Sequence, residues 1–204
     1  LGAAKAASDA AYTFYLMTST VSKPQLAALC HSALTDGIIV MEIHLNDWRV
    51  NFLKETGFPF VMIGRCANNA GVSLIDMDFE QGIAQTIEHL AGLGHRKIAL
   101  LALPGEAYEH GYGPAVRSQD SYVKTCKRLG LPRIIATSND VRAQVSEATH
   151  KLLDRHPDLT AIVSMHGDTT IGVYRALQER GLCIPDDVSV IAFITSRTAE
   201  LFTP

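Results

Sequence analysis

The stretch Ala161-Ile-Val-Ser-Met-His-Gly-Asp-Thr-Thr-Ile-Gly172 sets an apolar, strand-like run directly against a helix-like one. Ala161-Ile-Val163 reads as a strand, and Thr169-Thr-Ile-Gly-Val-Tyr-Arg-Ala-Leu177 reads as the helix that follows it. Open α/β sheets bind ligands at the carboxyl ends of their parallel strands. Ser164, His166 and Asp168 lie at such an end, where they can hold a ligand or turn the chain.

The same strand-to-helix alternation extends in both directions. Downstream, a helix to Arg180 leads to a strand over Val188–Phe193. Upstream, the pattern predicts helices over Arg117–Leu129 and Val141–Leu153, and strands over Arg133–Ala136 and Thr160–Met165. Before those come an Ala-rich helix over 1–10, a strand over Tyr12–Met17 and a helix over Pro24–Leu34. A buried strand over Gly37–Met41, a helix from Asn46-Asp47 to Glu55 and a strand over Phe58–Ile63 follow. Asp78-Phe-Glu-Gln81 fits a capping box, with Ile83, Ile87 and Leu90 on one apolar helical face behind it. The strand over Lys97–Leu103 ends at Pro104-Gly105, and Glu106–Pro114 has no period and reads as a crossing or loop. Strands alternating with helices of this length imply βαβ units and mainly parallel sheets. The fold class is therefore α/β, and the break near Pro104 suggests two such sheets.

Composition narrows the function. The chain has 204 residues, of which 47% are hydrophobic and 19% charged, as in ordinary globular proteins. A net charge of −3 gives no global attraction to nucleic acid or anionic lipid. The apolar runs are strand-length, well below the roughly 20 residues of a membrane span. Cys30, Cys66, Cys126 and Cys183 are scattered, with no CxxC pair, and read as reduced thiols of a cytoplasmic protein. The first residues, Leu1-Gly-Ala-Ala-Lys-Ala-Ala7, do not make a signal peptide, and the chain reads as a fragment.

Catalytic signatures are missing. There is no GxSxG, GxxxxGK[ST] or HExxH, so no enzyme is expected. His89 and His95, like His150 and His156, are six apart, which suits neither a helix face nor zinc; no metal and no cofactor are expected. Asp76 and Asp78 could pair for acid–base work, but capping explains Asp78, and Asp76 reads as a surface turn residue.

Three segments together resemble the effector-binding core of LacI/GalR-type transcriptional regulators. They are Val61-Met-Ile-Gly-Arg65 with Met77-Asp-Phe-Glu-Gln-Gly82; Glu88-His-Leu-Ala-Gly-Leu-Gly-His-Arg-Lys-Ile-Ala-Leu100; and Thr160–Val163 with Gly172–Phe193. The resemblance covers almost the whole chain, more weakly before Asp36. It implies a periplasmic-binding-protein-like type I fold lacking its first strand, with two Rossmann-like α/β subdomains: an N-terminal one over 1–103, a C-terminal one over 104–193, and 194–204 starting to cross back. The same resemblance implies a small-molecule effector, a sugar or other metabolite, in a cleft between the subdomains. It also implies a homodimer, operator DNA bound through a headpiece outside this sequence, and allostery by hinge movement. A periplasmic sugar-binding protein for transport or chemotaxis shares the fold and is the alternative.

The resemblance places the effector contacts, with changes. Asp78 keeps its family identity and Phe79 replaces the usual Asn. The family's Asn-Asp after the strand ending at Met165 falls on His166-Gly167, with Asp168 one position late. The usual Gly-Phe-Asp-Asp reads Ala192-Phe193-Ile194-Thr195, and Ser118 stands where an Arg is usual, beside Arg117. Arg65 ends its strand and could pair with an anionic ligand. The candidate cleft residues are therefore Arg65, Asp78, Phe79, Arg117, Ser118, His166, Asp168, Phe193 and Thr195. For His166 and Asp168, capping of the following helix competes with ligand contact.

Overall fold

A computed structural model describes residues 2–138, 142–194 and 199–200. Its elements run α1 (Gly2–Asp9), α2 (Lys23–His31), β1 (Ile38–Val40), α3 (Trp48–Thr56), β2 (Phe60–Ile63), β3 (Leu74–Ile75), α4 (Phe79–Gly92) and β4 (Ile98–Ala102). Then come α5 (Gly105–Glu109), α6 (Gly113–Leu129), β5 (Ile134–Thr137), α7 (Arg142–Arg155), β6 (Ala161–Ser164), α8 (Gly167–Glu179) and β7 (Ser189–Ala192). Two compact units result. One holds Leu1–Ile39 and Trp48–Phe60; the other holds Val40–Asp47 and the described residues from Val61 onward.

In the first unit, Ser22 caps α2 through a capping box with Gln25, and Pro24 occupies its first turn, where its missing N–H costs nothing. Leu26 of α2 and Val50 and Leu53 of α3 are buried, whereas α1 buries no residue. Trp48 opens α3 and is 42% exposed. The strand expected at Tyr12–Met17 does not form. Its residues favour extended backbone, but a strand needs a hydrogen-bonded neighbour, and Tyr12, Tyr15, Leu16 and Met17 remain exposed.

Three short strands make one sheet in the order β1-β2-β3, with β2 and β3 parallel through Met62 opposite Leu74 and Ile63 opposite Ile75. The two residues of β3, Leu74 and Ile75, are both exposed, and two residues are too short a run to read as a strand.

The second unit is built on a four-stranded parallel sheet of order β5-β4-β6-β7. Every residue of β4 and β6 is buried, as in strands covered on both faces. Successive side chains alternate between two apolar layers. Ile98, Leu100, Ala161 and Val163 join Ile83, Ile87 and Leu90 of α4 and Tyr122 and Cys126 of α6. Ala99, Leu101 and Ile162 join Val145, Leu152 and Leu153 of α7 and Val173 and Leu177 of α8. Both α4 and β4, which the sequence reading put before the boundary at 103, thus pack with elements beyond it. Pro104-Gly105 breaks a strand here, and a broken strand does not mark the edge of a core.

Gly94 and Gly181 follow their helices with φ of 99° and 68°, a left-handed conformation that favours glycine. Pro185-Asp-Asp187 turns the chain, with the Asp187 carboxylate accepting from Cys183 N at 2.7 Å. Two expectations fail. The loop at Glu106–Pro114 contains α5, and α6 begins at Gly113 rather than Arg117, with Pro114 in its first turn.

Candidate functional site

The strand order fixes where a crevice opens. From β4 the chain passes through α6 to β5 on one side; from β6 it passes through α8 to β7 on the other. Helix α6 lies in one apolar layer and α8 in the opposite one. The carboxyl ends of β4 and β6 therefore flank a topological switch point, the usual ligand position in an open α/β sheet.

At the end of β6, Ser164 is fully buried. Its Oγ lies 3.0 Å from Thr170 Oγ1 and 3.3 Å from the His166 carbonyl, which also accepts from Thr170 Oγ1 at 2.8 Å. Ser164 therefore fastens the turn. His166 is the N-cap residue of α8, extended at φ −153°, but its side chain makes no capping bond and is exposed. Asp168 lies one turn position inside the helix rather than at the N-cap, because α8 starts two residues before Thr169. A carboxylate in the first turn still favours the helix dipole.

At the N-terminus of α4, Asp78 Oδ1 accepts from Gln81 N at 3.0 Å, the capping bond expected from the sequence. Asp78 is exposed. Phe79 and Phe193 are partly buried and pack on the same core layer. Phe193 lies against Gly82, where an added Cβ would meet the ring at 2.8 Å. Beside it opens a cavity of about 410 Å³ walled by Gly82, Thr86, His89, Ala192 and Phe193. Thr195 lies outside the described residues.

Helix α6 turns two candidates inward. Ser118 is buried and donates to Pro114 O at 2.5 Å. Arg117 is 7% exposed; its Nη2 donates to Arg65 O at 2.6 Å and to Cys66 O at 3.2 Å. Burial, then the nearby Arg65 charge, pulls the Arg117 pKa below its ordinary value, and Asp76 and Glu80 oppose the fall. Arg65 pairs with Glu80 at 3.0 Å and with Asp76 at 3.3 Å. A second cavity, of about 340 Å³, is walled by Arg65, Asn69, Glu80, Arg117 and Asp120.

The structure thus gathers Arg65 and Arg117 into one cluster, places Asp78, Phe79 and Phe193 on or beside α4, and sets His166 and Asp168 at the start of α8. Sequence reasoning missed Asp76. It is not a surface turn residue: its side chain is 11% exposed and sits against both arginines. Gly113-Pro114, read as a helix start, would have placed Arg117 a full turn inside α6 rather than at its first residue. Among the described residues no group of three His, Cys, Asp or Glu is placed to hold a metal. The arrangement offers hydroxyl, imidazole, carboxylate and aromatic surface to a small ligand; Ser164 is occupied in packing and not presented as a nucleophile.

Comparison with known proteins adds identity. Residues 87–204 match the periplasmic binding protein-like domain family. The HTH-type transcriptional regulator CelR of Thermobifida fusca is 26% identical over 100% of this chain and 61% of its own length. Catabolite control protein A of Priestia megaterium is 26% identical over 83% of this chain and 51% of its own. The chain therefore spans less than two thirds of these relatives. Among solved structures, a regulatory protein of the LacI family from Chloroflexus aggregans superposes with a TM-score of 0.80 at 28% identity, over 97% of this chain and 72% of that one. A CelR–cellobiose complex superposes with a TM-score of 0.77 at 26% identity, over 98% of this chain and 62% of that one. The chain belongs to the periplasmic-binding-protein-like domain family, and its relatives are LacI-family transcriptional regulators.

Proposed function

We propose that this chain is the effector-binding and dimerisation core of a DNA-binding transcriptional regulator. The observation that carries the reading is its likeness, over nearly its whole length, to a regulator core solved with cellobiose. The topological switch point between β4 and β6 supports it, since such a point is the usual ligand position in an open α/β sheet. The effector is a small molecule, a sugar or other metabolite. It is held by Asp78 and His166 through hydrogen bonds and by Phe79 and Phe193 through ring faces, with Arg65, Ser118 and Asp168 around them. Operator DNA is bound by a headpiece outside this sequence, and the effector shifts operator affinity. The protein works as a cytoplasmic homodimer and acts by binding rather than turnover. The relatives favour this reading over periplasmic transport.

Calorimetric titration with cellobiose and ribose tests the ligand class. The expected result is saturable heat with at least one sugar in the wild type, weakened tenfold or more in Asp78→Ala and in His166→Ala. Sugar affinity unchanged in both variants would refute the site. Sequencing the reading frame upstream of Leu1 tests the partner: a helix-turn-helix supports the regulator, and a secretory signal overturns it.

A further inference from the structure

The sequence reading put Arg117 on the ligand, but its guanidinium is engaged elsewhere. Nη2 spans the Arg65 and Cys66 carbonyls, and Nη1 lies 3.6 Å from Asp76 Oδ2. The same carboxylate oxygen lies 3.3 Å from Arg65 Nε. All three atoms, Arg65 Nε, Asp76 Oδ2 and Arg117 Nη1, are buried, and none makes a hydrogen bond. Two cations share one carboxylate by charge alone, at distances just beyond good hydrogen-bond geometry. An arrangement in which every bond was optimal would resist change; this one can tighten or open with a shift of a few tenths of an ångström.

The cluster sits where several segments meet. A Cβ on Gly113 would lie 2.7 Å from Arg117 Nη1, 3.1 Å from Ile43 O and 3.4 Å from Arg65 O, so only glycine leaves room for the guanidinium. Around it, Gly113 N donates to Ile43 O, Leu45 N to Gly111 O, Ala67 N to Leu45 O and Gly64 N to Ile75 O. Ser121 Oγ donates to Glu80 O at 2.6 Å, joining α6 to the first turn of α4. Along the chain, Asp76 is two residues from the cap Asp78, and Arg117 is next to Ser118.

We propose that Arg65, Asp76 and Arg117 form a charge latch. It fixes the segments flanking β2 and β3 against the first turns of α6, and Arg117 shapes the ligand crevice by position rather than by contact. Arg117 is thus a positioning residue. The role of the crevice rests on the function proposed above; the latch itself does not.

Hydrogen exchange on the wild type, Arg117→Met, Asp76→Asn and the double variant tests this without a ligand. In Arg117→Met the amides of Leu45, Gly64, Ala67 and Gly113 should exchange at least tenfold faster, and so should those of Gln81 and Gly82 at the start of α4. The amides of Leu100 and Val163 in the four-stranded sheet should keep their rates. Asp76→Asn leaves two arginines facing each other and should loosen the same set. The double variant should exchange more slowly than the two single effects multiplied together, because they act through one contact. Arg117→Lys keeps a charge but loses the forked donors, and should fall between wild type and Arg117→Met.

Unchanged rates at the six amides, equal acceleration at Leu100 and Val163, or strictly multiplicative variants would each overturn the latch. If Arg117→Met gives no soluble protein, Arg117→Lys and Asp76→Asn carry the same comparison. A wild type that binds neither cellobiose nor ribose would count against the proposed ligand class, while the exchange pattern would still decide the latch.

Discussion

Replacing Tyr122 by Phe is the cleanest probe of the scaffold that carries the crevice. Tyr122 is fully buried on α6. Its Oη lies 2.8 Å from Ile98 O and 2.9 Å from Ile134 O, and it accepts from Ile134 N at 2.9 Å. One phenolic proton serves one carbonyl at a time, while the acceptor role toward Ile134 N is permanent. Phe keeps the ring and leaves no cavity, so only the polar contacts are lost. The Ile134 N–H is then stranded in an apolar layer, and a buried unsatisfied group costs about 1–3 kcal/mol. The expected loss is about 2 kcal/mol, since the two carbonyls share what remains. For a chain of this size that is a fall in Tm of about 4–8 °C. Urea unfolding should show a lower midpoint at an unchanged slope. Burial also raises the Tyr122 pKa in the folded state. Its neutral form therefore contributes stability below the unfolded phenol pKa of about 10, lost as pH rises past it. The variant should lose part of that alkaline dependence. A Tyr122→Phe protein as stable as wild type, with the same alkaline limb, would refute the argument that this hydroxyl is a structural node.

Glu179 gives an acid-side prediction: Arg175, then His150, hold its carboxylate down to about 2. Its stabilising effect is present above the unfolded carboxylate pKa of about 4.3 and fades as pH falls toward the folded value, so Glu179→Gln should flatten the acid limb of an unfolding-versus-pH curve. Gly82→Ala should destabilise despite a helix-propensity gain of about 1 kcal/mol, because its Cβ meets the Phe193 ring; pairing it with Phe193→Leu should recover the loss in a thermal melt. Leu100→Ala removes a fully buried side chain at the centre of the sheet and should cost about 2–5 kcal/mol in urea unfolding.

Most of the second unit was legible because its signals are local and redundant. The run Ile98–Leu101 is apolar throughout, Ile83, Ile87 and Leu90 repeat at helical spacing, and Gly94 and Gly181 mark their helix ends. What the sequence hid depends on distant partners. Tyr12–Met17 has strand composition without a strand, since a ladder is a property of two segments. The sheet that β4 joins is decided by Ile134 and Ala161, far along the chain. The candidate site was harder still. Arg117 looks like a ligand arginine until Gly113 lets it fold back onto the Arg65 carbonyl, and Asp76 looks like a turn residue until two arginines close over it. The polar residues that face a ligand and those that face each other are the same types, and only the three-dimensional register separates them.

The sheet order β5-β4-β6-β7 also says something about how the chain must reach its fold. The central strand β4 finds no neighbour among nearby residues: Ala99 pairs with Ile134, and Ile98 with Ala161. On a ribosome its all-apolar length emerges well before either partner, and both edges stay open until β5 and β6 have been made. Closing such long loops is slow, and open apolar edges invite pairing with other chains. Helix α4, already capped by Asp78 and carrying Ile83, Ile87 and Leu90, is the first surface synthesised that can cover one face of β4. Nascent-chain survival is therefore expected to depend on that helix before the sheet exists.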